Sequence, residues 1–159
     1  MKRAVFALAV SAFAAGPALA DTLPARKAGL WETTMSAAPS MKIKQCIDEK
    51  TDKLAESAAA PGATCSKREI RKVAAGYEIE SSCTIGTITA DAKGLVTGDF
   101  ASAVKIELTS LIKGVPGMPP GGTPQKTTME ARRVGDCEAG QKPGDMIMPD
   151  GRVIKTPGT

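Results

Sequence analysis

Cys65-Ser-Lys-Arg-Glu-Ile-Arg-Lys-Val-Ala-Ala-Gly-Tyr-Glu-Ile-Glu-Ser-Ser-Cys83 is the stretch from which the fold is read. In its second half Tyr77, Ile79, Ser81 and Cys83 point one way, and Glu78, Glu80 and Ser82 the other. A period of two is what a half-buried strand requires. The first half is more polar, with Ile70 and Val73 set among Lys67, Arg68, Glu69, Arg71 and Lys72. Gly76, after two alanines, tolerates the positive φ of a short hairpin loop. A three-residue loop, Ala74 to Gly76, puts Val73 opposite Tyr77 and leaves Cys65 and Cys83 on one face. The expectation is a β-hairpin with a cysteine near each open end, in a sheet whose other face is charged and wet.

Upstream, residues 1–20 read as a secretory signal. Lys2 and Arg3 form a positive head, Ala4 to Ala15 an apolar run too short to span a bilayer, and Ala18-Leu19-Ala20 a small-residue cleavage site. Cleavage after Ala20 leaves Asp21 first, with no cysteine at the position lipid attachment needs. No later stretch is apolar enough for stable membrane insertion. The expected location is therefore periplasmic, with a β-rich domain over 21–137 and a tail over 138–159. Lys2 and Arg3 account for two of the 21 basic residues that face 17 acids. The remaining charges are interleaved by sign and aromatics are few, so a nucleic-acid surface is not expected. Beyond residue 20 the aromatics are Trp31, Tyr77 and Phe100. Such a core is thin, because aromatics carry much of the buried area in ordinary domains. The four cysteines, an even number in an exported chain, read as a disulfide framework.

Gly29-Leu-Trp-Glu-Thr-Thr-Met35 is the first strand candidate and Met41 to Cys46 the second. Asp48 to Ala60 changes character: Asp48 suits a cap, Leu54 and the alanines favour a helix, and Pro61-Gly62 ends it. After the hairpin, Cys83 to Ala90 reads as a continuing strand, Asp91 to Gly94 as a turn, and Leu95 to Thr97 as a short strand before a Gly98-Asp99 turn. Phe100 to Lys113 alternates Phe100, Ser102, Val104, Ile106 and Leu108 against Ala101, Ala103, Lys105, Glu107 and Thr109. Gly114 to Gln125, with four prolines, is a loop. Thr127 to Val134 returns as a strand with Met129 and Ala131 on one face. Pro149-Asp150-Gly151 is a turn signal, and the tail is expected either to form a small hairpin or to have no fixed structure.

Gly29-Leu-Trp31-Glu32, Gln45-Cys46, Cys65, Cys83, Gly98-Asp99-Phe100 and Arg132-Arg133-Val134-Gly135-Asp136-Cys137 follow in an order that resembles the domain-of-unknown-function 3617 family of exported bacterial proteins. The resemblance covers about Gly29 to Cys137. Family members carry a Met/Pro/Gly-rich segment, as in Gly117-Met-Pro-Pro120; in many it follows the first strand, whereas here it lies late. The resemblance implies an envelope location and a β-rich fold, and no reaction.

The chain has no histidine, which removes the commonest general base, the usual zinc and copper nitrogen ligand, and every Ser-His or Cys-His pair. No Cys-x-x-Cys, P-loop or dinucleotide fingerprint is present, so neither an enzyme nor a bound cofactor is expected. Cys46, Cys65, Cys83 and Cys137 are read as structural. The preferred pairing is Cys46–Cys65, clasping the helix, with Cys83–Cys137; Cys65–Cys83 across the hairpin is the rival. Met146 and Met148, on one face of a strand, are the candidates for Cu(I). The expected architecture is a mainly β, single-domain antiparallel meander, a curved sheet or partly closed barrel, with one short helix and two disulfides. Its apolar face would carry Trp31, Tyr77, Ile79, Phe100, Val104, Ile106 and Leu108. The functional expectation is a non-enzymatic periplasmic binding or interaction module, taking an apolar ligand or an envelope protein against that face. The alternative is a copper-handling or redox-linked envelope protein.

Overall fold

The computed structural model describes residues 22–36, 41–50, 52, 54 and 62–155. Residues 1–20, expected to be a secretory signal, fall outside them, as does most of the helix expected over 48–60. Residues 48–50, 52 and 54 make turns, and no helix occurs among the described residues.

The strands are Gly29–Met35 (β1), Met41–Ile47 (β2), Thr64–Val73 (β3), Gly76–Ile85 (β4), Ile88–Gly98 (β5), Ala103–Lys113 (β6), Thr123–Gly135 (β7), Met146–Ile147 (β8) and Val153–Ile154 (β9). They form one nine-stranded sheet in the order β3-β4-β5-β6-β7-β1-β2-β8-β9, antiparallel at every pairing. Among the described residues β3 and β9 are the outer strands, and the sheet does not close. The β3–β7 meander folds by short local connections, and the β1–β2 hairpin joins it through β7. The tail is a hairpin: β8 adds to β2 at Lys44 and Gln45, and β9 adds to β8.

Several local expectations are corrected. The β3–β4 turn has two residues, with Val73 opposite Gly76 and Lys72 opposite Tyr77. Gly76 (φ 145°) is required there, because a Cβ would lie 2.2 Å from the Val96 carbonyl oxygen. The strand break expected at Asp91–Gly94 falls instead at Gly86 (φ 58°) and Thr87, so Asp91 to Gly94 is mid-strand in β5. Gly94 serves packing: a Cβ would meet the Glu107 carbonyl at 2.5 Å and Leu108 Cδ1 at 2.9 Å. β6 begins at Ala103, after a turn that holds Phe100 at φ 57°.

The disulfides are Cys46–Cys137 and Cys65–Cys83, not the preferred pairing. Cys65 lies on edge strand β3, separated from β2 by β4, β5, β6, β7 and β1, so it cannot reach Cys46. A bulge at Ser66 shifts the hairpin register and brings Cys65 directly opposite Cys83, their Cα atoms 3.9 Å apart. Leu30 of β1 pairs with both Cys46 and Gly135, so Cys137 rounds the end of β1 to meet Cys46 at a Cα separation of 5.4 Å. In the chain-entropy picture the hairpin link contributes about 3 kcal/mol and the longer Cys46–Cys137 loop about 4.5 kcal/mol.

Register places Tyr77, Val96, Ile106 and Met129 in one row across the sheet, with Val104 and Ala131 in the next. Together with Trp31, Ile47 and Phe100 they build the core. Leu23 and Leu54 pack against it from outside the sheet. Between them a buried ion pair closes the cover. Arg26 Nη2 lies 2.8 Å from Asp52 Oδ1, and the Arg26 backbone amide donates to Asp52 Oδ2 at 2.6 Å. The guanidinium sits 5.2 Å from the centroid of the Trp31 ring. Trp31 Nε1 donates to the Lys27 carbonyl (2.9 Å), and the Lys27 amide donates to that of Phe100 (2.8 Å).

With side chains only 4% and 1% exposed, Arg26 and Asp52 are worth most as a matched pair. Arg26→Met alone leaves a buried carboxylate without its cation and should lower unfolding free energy by about 3–5 kcal/mol. Arg26→Met with Asp52→Leu should recover most of that loss, as read by urea unfolding; equal losses in the single and double variants would remove the ion pair from the cover.

Candidate functional site

The structure sorts the seven apolar-face residues into two groups. Trp31, Phe100, Val104 and Ile106 are buried in the core, beneath the chain's own residues Leu23, Arg26 and Leu54. They are not an open surface for a ligand. Tyr77 and Ile79 pack at the edge of that core, and Leu108 is half-buried on the same face, in the row of Ile79, opposite Gly94 and Thr127.

Phe100 owes its place to the preceding aspartate. Asp99 Oδ1 accepts from the backbone amides of Ala101 (2.9 Å), Ser102 (2.7 Å) and Ala103 (3.0 Å), and Oδ2 accepts from the Ser102 hydroxyl at 2.6 Å. The Ser102 hydroxyl first, then these amides, hold the Asp99 carboxyl far below the usual carboxylate range. The clamp fixes Phe100 in the left-handed region, with its ring edge-on to Tyr77 at 5.8 Å between centroids.

A cavity lies on the opposite face, toward the β3 edge. It is a trough of about 660 Å³ lined by residues of β3, β4, β5, β6 and β7. Alternation explains its chemistry. The backbone of Ser81, Ala92 and Ser110 forms the floor, because their side chains belong to the core face. Leu111 and Pro124, register partners, form an apolar wall. Lys67, Glu80 and Lys93 form a charged wall, with Ser82, Asp91 and Thr109 between.

These charges are paired with one another. Glu80 Oε1 lies 3.1 Å from Lys67 Nζ and 3.2 Å from Lys93 Nζ, and Lys67 also reaches Glu69 at 3.4 Å. The Ser82 hydroxyl donates to Asp91 Oδ1 at 2.7 Å, and Lys113 Nζ lies 3.5 Å from Asp91 Oδ2. The bond to Glu80 raises the Lys67 pKa, and bonds from Lys67 and then Lys93 lower that of Glu80. The Ser82 bond, then the Lys113 charge, lowers that of Asp91. Every one of these shifts moves its group away from neutral pH and fixes it in the ionised form.

Sequence reasoning missed Arg26 and Asp52, and the core residues Ile47 and Val96. Val96 gives little signal in the sequence because Gly94 and Gly98 on either side of it carry turn signals. Of the trough residues, Glu80, Ser82 and Thr109 are legible as parts of polar strand faces; their convergence with the rest depends on register across five strands. Met146 is half-buried opposite Gln45, while Met148 lies beyond β8, its amide donating to the Arg152 carbonyl at 2.9 Å.

The family model described as "Protein of unknown function (DUF3617)" matches residues 26–137. No curated protein and no solved structure matches the chain.

The Asp99 clamp carries a pH signature. Its folded-state carboxyl titrates below the unfolded value of 3.8, so its stabilisation is complete above that value and is lost as pH falls toward the folded one. Asp99→Asn should lower the midpoint of urea unfolding by a constant margin from pH 8 to pH 5, and the margin should narrow below pH 4. A margin independent of pH down to pH 3 would show that the charge on Asp99 contributes nothing.

Proposed function

This chain belongs to the DUF3617 family, and from that premise we propose that it is a non-enzymatic binding protein of the bacterial cell envelope that holds a small amphipathic ligand in the β3–β7 trough. The observation that carries the reading is the trough itself, whose roughly 660 Å³ falls within the range of small-molecule sites. The apolar wall at Leu111 and Pro124 suits a hydrocarbon or ring, and the facing Lys67, Glu80 and Lys93 suit polar substituents. Support for binding over catalysis comes from the titrating groups. A general acid or base works best with a pKa near the operating pH, and Lys67, Glu80 and Asp91 are all displaced away from it.

An envelope location is supported by the two disulfides, which persist in oxidising compartments. No helix among the described residues is long and apolar enough to cross a membrane. An amino-terminal stretch with the pattern of a secretory signal is consistent with the same location.

The fluorescent amphiphile 1-anilinonaphthalene-8-sulfonate serves as the probe. The folded protein should bind it saturably, and Leu111→Asp should weaken binding about tenfold or more, equivalent to about 1.4 kcal/mol. Val134→Lys, at an exposed site on β7 outside the trough, should bind as the wild type does. No saturable binding, or equal binding by Leu111→Asp with an unchanged melting temperature, would reject the trough as the site.

A further inference from the structure

The two disulfides sit in unlike surroundings. Cys46 is 1% exposed; its amide donates to the Asp145 carbonyl and its carbonyl accepts from the Gly144 amide, both from buried residues of the tail. β2 is paired on both sides near that point, with β1 and with β8. Cys65 and Cys83 are both half-buried, as is Cys137, but no partner of the hairpin link is sealed as Cys46 is, and the neighbouring Thr64, Ser66 and Thr84 are exposed. Cys65 belongs to β3, an outer strand that among the described residues pairs with β4 alone.

We propose that Cys65–Cys83 is a thiol-exchange site, opened by the dithiol of a reducing protein, and that Cys46–Cys137 is the permanent link. The reductant's thiolate attacks the sulfur of Cys65 or Cys83, the Cys65–Cys83 bond breaks, and a mixed disulfide forms. The other cysteine leaves as a thiolate and takes a proton. The reductant's second thiol loses its proton and attacks the mixed bond, closing the reductant's own disulfide. Two electrons pass to the protein, and Cys65 and Cys83 end as thiols. Register places Arg68, opposite Ser81, on the sulfurs' own face of the sheet, a positive charge that favours the thiolate.

Reduction then changes one element. β3 loses its covalent tie and keeps its ladder to β4 with the surface pairs Lys67–Glu80 and Arg71–Glu78, which as exposed pairs hold a strand weakly. Because β3 supplies Lys67 to the trough, exchange would loosen that wall. The exchange itself stands whether or not the trough binds a ligand.

The test uses the folded, oxidised protein and dithiothreitol. Samples drawn during native titration are alkylated with iodoacetamide, and the label is assigned by peptide mass spectrometry. Cys65 and Cys83 should label about tenfold or more faster than Cys46 and Cys137, in line with their access. In the half-reduced species, amides of Thr64–Val73 should exchange hydrogen faster than in the oxidised protein, with β1, β6 and β7 unchanged. Labelling of all four cysteines together, labelling of Cys46 and Cys137 first, or unchanged protection of β3 would overturn the proposal.

Discussion

The structure depends on Trp31 being sealed beneath Arg26. This chain has one tryptophan and one tyrosine, and Trp31, Tyr77 and Phe100 all converge where the amino-terminal segment crosses the sheet. With so few large side chains, the core gains its buried area at a single corner. A charged residue covers that corner, and burying a guanidinium is tolerable because the Asp52 carboxylate pairs with it while also accepting from the Arg26 backbone amide. The indole is held from above by the cation and at its nitrogen by the Lys27 carbonyl. Lys27 in turn ties the segment to the Phe100 turn. Cover, turn and core are thus one connected unit.

Away from that corner the sheet relies on other devices. Cys46–Cys137 closes the end of β1 and fixes β2 against the segment after β7. Cys65–Cys83 closes the far edge, where among the described residues β3 pairs on one side only. The edge is also marked by charge, with Lys67, Arg68, Arg71 and Lys72 along β3, the kind of side chains that discourage edge-to-edge association. On the face away from the core, Lys67, Glu80 and Lys93, with Leu111 and Pro124 across from them, make the trough. Fold and candidate site therefore arise from one alternation: apolar residues turn toward the cover, and the polar set is left to line a cavity.

Much of this was legible in the sequence where a strand buries one face. Val104, Ile106 and Leu108 announce their side by alternation, and Tyr77 and Ile79 announce theirs. The resemblance to the family, built on Trp31, the cysteines and the Asp99–Phe100 turn, is matched by the family model over nearly the same span. Three things were hidden, each for a physical reason. Gly94 looked like a turn residue, but its missing side chain makes room for Leu108 inside a sheet. The cysteine pairing depends on a one-residue bulge at Ser66 and on β1 lying between β2 and β7, neither of which has a local signal. Arg26 and Asp52 read as ordinary surface charges, since a buried ion pair is defined only by what packs around it.

Self-coverage of the apolar face moves the candidate binding site to the opposite side of the sheet, and the lone tryptophan reports on it directly. Acrylamide quenching of Trp31 fluorescence in the native, oxidised protein is the decisive measurement. A residue 0% exposed should emit at short wavelength, resist quenching, and become accessible only on unfolding. Water-like emission with free quenching in the folded state would mean that the face is open, contradicting the cover and restoring that face as the place where a ligand binds.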